Sequence, residues 1–183
     1  MARKSREMGR DGFCLGIQPI GEIDPGYLKI LAGSFLGELG IRTLILPGLA
    51  QPDYAFDNRR IQYDAGIIIN RLEAMEFKGC RCVIALMDAD LFIPVFSFVL
   101  GEARMGGDRA LVSIFRLQGN RSGIVKVALH EFGHLMGLDH CHEDTCVMKF
   151  SKNIEQLDSI SSMFCNYCLD QIRYAIRKKQ ERP

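Results

Sequence analysis

The chain has 183 residues and a mass of 20.6 kDa, which gives room for one domain or two small ones. Hydrophobic residues make up 48% of it and charged residues 25%. This is the ordinary mix of a globular protein, and it excludes a disordered chain, a collagen-like chain and a coiled coil. The 23 Lys and Arg residues nearly balance the 22 Asp and Glu residues, so the net charge of +1 argues against nucleic-acid binding driven by bulk charge.

The sequence carries no pattern typical of export or membrane insertion. The first ten residues are basic, but polar residues and glycines interrupt the next ten, so no signal peptide is predicted. The longest apolar stretch, residues 91–101, is shorter than the roughly 20 residues that a bilayer requires. We therefore expect a soluble cytoplasmic protein whose seven cysteines are thiols or metal ligands. Basic ends, at residues 1–10 and 173–183, are expected to be solvated.

Strands and helices alternate in the first half of the chain. The predicted elements are a strand at 13–20, a helix at 25–39, a strand at 41–46, a helix at 64–77 and a strand at 83–87. In the second helix, the apolar residues predicted to face the core are Ile67, Ile68, Leu72 and Met75. Residues 51–62 are expected to be irregular. This order indicates a parallel sheet with right-handed crossovers.

The second half of the chain predicts a different arrangement. Strands at 95–100 and 110–117 are separated by a short glycine-rich segment, which favours a hairpin and hence one antiparallel strand. A helix then begins at Ser122 and ends at Gly137, and further helices are predicted near 154–161 and 169–179. The expected fold class is α/β, with a mixed twisted sheet that is mostly parallel and has one antiparallel edge strand.

All four histidines lie within thirteen residues. His130 and His134 are four residues apart on a predicted helix, so both imidazoles can reach one metal, and Glu131 lies beside them, where it can contact a water on that metal. His140 can join them only if the helix ends and the chain reverses, which Gly137 permits by adopting a left-handed conformation. The spacing predicts three histidine ligands and one open position, as in catalytic zinc sites.

A second metal-ligand pattern begins at the next residue. Its four cysteines form two short-range pairs and fit a closed tetrahedral zinc site: Cys141, Cys146, Cys165 and Cys168. Because Cys141 comes directly after His140, the two side chains can diverge, one to each metal. Two disulfides, unrelated buried thiols, or a ligand role for His142 are the alternatives.

Other polar and sulfur side chains have mainly structural interpretations. Cys14 lies in the first strand and is expected in the core, whereas Cys80 and Cys82 are expected to be free thiols. Asp88 and Asp90 end a predicted strand, where they either face a cleft or stabilise the loop.

The string from His130 to Cys168 resembles the archaemetzincin family, a branch of the metzincin zinc peptidases. That family has His-Glu-x-x-His-x-x-Gly-x-x-His followed at once by Cys, then x4-Cys-x-Met, a spacer and Cys-x-x-Cys. Every fixed element is present: His130, Glu131, His134, Gly137, His140, Cys141, Cys146, Met148, Cys165 and Cys168. Sixteen residues separate Met148 from Cys165, one fewer than in the family pattern. This difference falls in a connecting loop.

The resemblance implies both fold and chemistry. The order of elements is similar to that of a metzincin, in which an antiparallel edge strand pairs with an extended substrate; residues 95–100 are favoured for this role over residues 110–117. Met148 resembles the Met-turn methionine beneath the metal. Residues 1–137 would form an α/β subdomain with the active-site helix, and residues 138–183 a small zinc-stabilised subdomain of the same compact unit.

The expected activity is that of a zinc metallopeptidase with one catalytic and one structural zinc ion per chain. A zinc-activated water would attack the peptide carbonyl, and Glu131 would take the water proton as general base and pass it to the leaving amine. We expect a monomer that acts on peptides or proteins, with neither nucleic acid nor membrane as partner. The alternatives are a zinc hydrolase of a non-peptide amide and a zinc-stabilised binding module with an idle site; the intact Glu131 argues against the module.

Overall fold

A computed structural model describes residues 13–151 and 153–181. The strands are β1 (Cys14–Ile20), β2 (Arg42–Ile45), β3 (Phe56–Asp57), β4 (Gln62–Asp64), β5 (Cys82–Met87), β6 (Leu91–Ile93), β7 (Phe96–Val99), β8 (Gly101–Ala103) and β9 (Arg109–Ser113). The helices are α1 (Pro25–Leu39), α2 (Ala65–Glu73), α3 (Arg121–Leu135), α4 (Ile154–Ser159) and α5 (Asn166–Gln180). The expectations about a signal peptide and a solvated basic segment at residues 1–10 lie outside the described residues.

The main sheet has five strands in the order β2-β1-β5-β9-β8. The first four strands are parallel, and β8 pairs antiparallel with β9, so the predicted mixed sheet with one antiparallel edge is confirmed. The position favoured for that edge strand was wrong by a few residues. Residues 96–99 pair with β6 in a second sheet, and the chain enters the main sheet only at Gly101.

A second sheet of four short strands, in the order β3-β4-β6-β7, lies beside the main one. It includes residues that the sequence predicted to be irregular, because strands of two to four residues are too short to show a period of two. Arg60 fixes β7 to this sheet, since its guanidinium donates to the carbonyl of Phe96 at 3.0 Å. This sheet places Ile93 and residues 96–99 along one side of a cleft in front of α3.

Capping side chains define where the long helices begin. Asp24 accepts a hydrogen bond from the backbone N–H of Gly26 at 2.7 Å, at the predicted start of α1. The predicted cap of α3 was wrong: Asn120, not Ser122, accepts from the backbone N–H of Gly123 at 2.9 Å. The helix therefore starts one residue before the predicted cap, because the Asn120 side chain reaches the third helical N–H.

The inward face of α2 also differs from the prediction. Ile67 is 44% exposed, and the buried residues are spaced at helical intervals: Ala65, Ile68, Ile69 and Leu72. Three consecutive isoleucines leave this choice open in the sequence, and packing against the sheet decides it. Met75 lies beyond the end of the helix at Glu73.

The core lies on both faces of the main sheet. One cluster packs α1 and α3 against the sheet and includes Phe35 and Phe132, whose rings meet edge to face with centroids 5.3 Å apart. The other packs α2 against the opposite face. Helix α3 is buried along most of its length, so the segment that carries the histidines is held firmly. Within the described ranges, the helices are too short or too polar to span a membrane.

Candidate active site

Helix α3 brings two of the three predicted histidines together. The Nε2 atoms of His130 and His134 lie 3.1 Å apart. Each ring has its Nδ1 atom 2.8 Å from a backbone carbonyl, that of Val147 for His130 and that of Leu138 for His134. These carbonyls accept a hydrogen bond from Nδ1–H, which leaves the lone pair of each Nε2 atom available to a metal.

The chain reverses at Gly137, which has a φ of +83°. The backbone N–H of Gly137 donates to the carbonyl of His134, and that of Leu138 donates to the carbonyl of Gly133. This pair of bonds is the Schellman arrangement that ends helices at a left-handed residue. The reversal returns His140 to the other histidines, with its ring centroid 5.3 Å from that of His130 and 5.1 Å from that of His134.

The three imidazoles fit a zinc ion. Their potential ligand atoms all lie within 4.8 Å of one another, and neutral imidazole nitrogens are common zinc ligands. Burial lowers the pKa of His130 to about 4, and it also lowers the pKa of His134. Both rings are therefore held in the neutral form that binds a metal.

Glu131 lies beside the histidines and is only 7% exposed. Burial raises the pKa of this carboxyl well above its usual value, and the negative charge of Glu102 adds to the effect. A Cβ atom built on Gly101 would lie 2.6 Å from Oε1 of Glu131, so the carboxyl packs directly against the backbone of β8. No sequence pattern predicts this role of Gly101, because the two residues are thirty positions apart.

Met148 is fully buried and packs against α3 where the helix carries Gly133. A Cβ atom at Gly133 would overlap the sulfur of Met148, so this glycine is required for the close approach. Met148 thus lies against the helix between the two histidines that α3 supplies.

The four predicted cysteines form a second group. Their sulfur atoms lie within 4.8 Å of one another, and the sulfurs of Cys141 and Cys165 are 3.9 Å apart. A tetrahedral zinc site with bonds of about 2.3 Å has sulfur–sulfur distances of roughly 3.8 Å, so the group fits such a site. The backbone N–H of Cys165 donates to the sulfur of Cys146 at 3.3 Å, a bond that supports a thiolate. His142 is exposed and lies outside both groups.

None of the seven cysteines forms a disulfide, in agreement with the expectation that they are thiols or metal ligands. Cys80 and Cys82 are buried, and the sulfur of Cys14 lies 3.8 Å from that of Cys80. Asp90 stabilises its loop, because the guanidinium of Arg116 donates a hydrogen bond to each of its carboxylate oxygens, at 2.6 and 2.7 Å. Asp88 is exposed.

A cleft of about 640 Å³ opens in front of the histidines. Its walls come from β7 and β8 on one side, from α3 beneath, and on the other side from Val147, residues 149–151, Asn153 and Leu157. Most of the lining is apolar, and the charged groups are few: Glu102, Glu131 and Lys149. The edge strand β8 runs along this cleft, and its unpaired edge is available to an extended peptide.

A peptide on that edge would pass in front of three imidazoles and a carboxyl, which is the arrangement of a metzincin-type zinc metallopeptidase. The model of peptidase family M54 matches residues 43–174. The chain belongs to this family, the archaemetzincins.

Individual archaemetzincins are similar to this chain in sequence and structure over most of their length. The chain is 33% identical to that of Methanocaldococcus jannaschii over 86% of this chain and 91% of the relative. The crystal structure of the Methanopyrus kandleri protein has a TM-score of 0.83 at 27% identity and covers 94% of this chain and 99% of that one. The structure from Archaeoglobus fulgidus, in complex with malonate, has a TM-score of 0.77 at 29% identity and covers 87% and 99%.

Proposed function

We propose that His130, His134 and His140 hold the catalytic zinc of this metallopeptidase and that Glu131 is its general base. The observation that carries the proposal is the convergence of three imidazoles beside a buried carboxyl at the open edge of the sheet. When bound, zinc supplies a Lewis acid that polarises the peptide carbonyl and makes water a better nucleophile.

The protein's own residues account for substrate placement and proton transfer. A peptide that pairs with β8 in extended form runs past Gly101, and the carboxyl of Glu131 lies against that same residue. The scissile bond is thereby brought next to the base. Glu131 accepts a proton from the attacking water and donates it to the leaving amine, which is ordinary general acid–base catalysis.

We also propose that the group formed by Cys141, Cys146, Cys165 and Cys168 holds a second, structural zinc, which makes two ions per chain. It would stabilise residues 138–183 as a small subdomain, because it joins the loop after α3 to the start of α5. Met148 would support the histidine site from beneath. Seven cysteines without a disulfide support a cytoplasmic location.

Hydrolysis by a Glu131→Gln variant tests the assignment of the base. We expect its kcat on a quenched fluorescent peptide library to fall by about 10²- to 10⁴-fold, with zinc content unchanged. Glu143→Gln is the matched control, since Glu143 is exposed and its side chain lies away from the cleft lining, and it should hydrolyse peptides like the wild type. A zinc-loaded Glu131→Gln protein with wild-type turnover would disprove the role.

A further inference from the structure

The third histidine lacks the support that the first two have. His130 and His134 each have a backbone carbonyl 2.8 Å from Nδ1. Across residues 13–151 and 153–181, neither ring nitrogen of His140 has such a hydrogen-bond partner, and the residue is exposed. Apart from the two other histidines, the ring that contacts it is Phe150, with centroids 4.9 Å apart and planes tilted by 54°.

Phe150 is itself in an unusual environment for an aromatic residue. It is 46% exposed and lies outside both core clusters, so core packing does not explain its position. It lines the cleft next to His140. An apolar ring left half in water forfeits part of the free energy that burial would give it. The aromatic contact of Phe150 is with His140.

The backbone holds the two rings side by side. The N–H of Cys141 donates to the carbonyl of Met148, and the N–H of Lys149 donates to the carbonyl of Cys146, both at 2.9 Å. The first bond joins the residue just after His140 to the segment just before Phe150, and the second closes a turn within that segment. The pair of rings is therefore anchored from the loop of the cysteine group.

We propose that Phe150 is a positioning residue that fixes the ring of His140 for metal binding, in place of the hydrogen bond that orients each of the other two histidines. This inference rests on the proposed function, since it takes His140 as a ligand. An aromatic ring packed against an imidazole restricts its rotation, and removing the aromatic ring lets an exposed histidine sample other rotamers. Metal binding must then select the one productive orientation and loses affinity.

The test is the affinity of the histidine site for zinc, measured by competition with a fluorescent chelator on protein that retains its more tightly bound zinc. Phe150→Ala should weaken binding by about 3- to 10-fold, the range for an aromatic pair. Phe150→Tyr keeps the ring and should stay within about 2-fold of the wild type. Cobalt in the histidine site should show an altered visible spectrum in Phe150→Ala and a normal one in Phe150→Tyr.

Phe96→Ala is the matched control, because Phe96 is 51% exposed and lines the same cleft without contacting His140. It should leave zinc affinity and the cobalt spectrum unchanged. Wild-type affinity in Phe150→Ala, or equal loss in Phe96→Ala, would overturn the inference. His140→Ala separates this inference from the proposed function. Wild-type zinc affinity in His140→Ala would show that the proposed ligand set is wrong. A large loss of zinc affinity in His140→Ala with none in Phe150→Ala would reject only the role of Phe150. Circular dichroism of each variant checks that the fold is retained.

Discussion

At the scale of single residues, two glycines make the site possible. Gly101 leaves space for the carboxyl of Glu131, and Gly133 leaves space for Met148. His130, His134 and Glu131 could be predicted from the sequence because their spacing along a helix fixes their directions. His140 could be added because Gly137 permits the reversal that brings it back. Neither glycine could be assigned in this way, since the partner of each lies on another part of the chain.

A side chain at Gly101 should disturb the base without removing the metal. In Gly101→Ala the new Cβ atom would meet Oε1 of Glu131 at 2.6 Å and displace the carboxyl. We expect a loss of kcat on the order of 10²-fold, as for a misplacement of about 1 Å, with normal zinc content. Gly48→Ala, whose Cβ atom would have no neighbour within 4 Å, is the control. Unchanged kcat in Gly101→Ala would show that the contact with β8 does not position Glu131.

Gly133 and Gly33 form a matched pair inside two helices. Gly33→Ala places a methyl group in open space and should stabilise the protein by about 0.5–1 kcal/mol, the helix-propensity gain. Gly133→Ala would bring the same gain but overlaps the sulfur of Met148, so we expect a net destabilisation of about 1–3 kcal/mol. Denaturant unfolding of the zinc-loaded proteins measures both. Stabilisation in both variants would mean that Met148 moves aside freely.

At the scale of elements, α5 is fixed at its end by a buried lysine. Lys179 is 5% exposed, and its ammonium donates to Gly106 O at 3.2 Å, Gly107 O at 2.8 Å and Asp108 Oδ1 at 2.7 Å. These acceptors form the turn between β8 and β9, and the N–H of Gly106 donates to the carbonyl of His134. The expectation that the basic residues at 173–183 are solvated was therefore wrong for Lys179, which connects α5 to the edge strand.

Replacement of Lys179 by methionine should destabilise the protein, whereas the same replacement of Lys178 should not. Lys179→Met keeps the length of the side chain but removes three hydrogen bonds donated by a buried charged group, with an expected loss of about 1–3 kcal/mol in the free energy of unfolding. Lys178→Met changes an exposed residue and should lie within about 0.5 kcal/mol of the wild type. Equal stability of the two variants would contradict the role of Lys179.

The pH dependence of this pair has a definite sign. Burial alone would raise the pKa of Asp108, but the hydrogen bond and charge of Lys179 hold it below the ordinary value of 3.8. A lowered carboxyl pKa stabilises the fold above the ordinary pKa and loses this effect as the pH falls through the folded-state value. The difference in the free energy of unfolding between Lys179→Met and the wild type should accordingly become smaller below pH 3.8. A gap that widens in acid would contradict this contribution.

Elements of different length were predictable to different degrees. The long helices and the buried strands show clear periods, and their caps mark the boundaries, so α1 was predicted at 25–39, where the structure has it. The strands β3, β6 and β8 have only two or three residues each, too few for a pattern. The hairpin itself was predicted, but because its first strand is so short, the edge strand was placed at 95–100 instead of Gly101–Ala103.

At the scale of the whole molecule, two candidate metal centres are joined by a pair of consecutive residues, one in each centre. His140 faces the histidine group, and Cys141 faces the cysteine group. The ligand motif is local in sequence, whereas the cleft in front of it is completed by β7 and β8, about thirty residues earlier. A motif can therefore reveal the chemistry, but the shape of the cleft depends on the folded chain.

Metal content should distinguish the two centres. We expect two zinc ions per chain, with the ion of the cysteine group bound more tightly. His134→Ala should lose the zinc of the histidine site and keep its fold, since His134 is only partly buried and lies outside both core clusters. Cys165→Ser should lose the other ion and unfold at a lower temperature. Elemental analysis with thermal unfolding checks both expectations, and loss of the same ion from both variants would refute the assignment of two separate sites.

The direct succession of His140 and Cys141 also restricts where the chain can tolerate an insertion or a deletion. A residue inserted or deleted there would turn one proposed ligand away from its group while leaving the other in place, so neither candidate centre could adjust alone. The stretch from Ser151 to Phe164 holds none of the proposed ligands, so a change of length there leaves both sets of ligands in register. Tolerated insertions and deletions between the first and last of these ligands should therefore accumulate in that stretch.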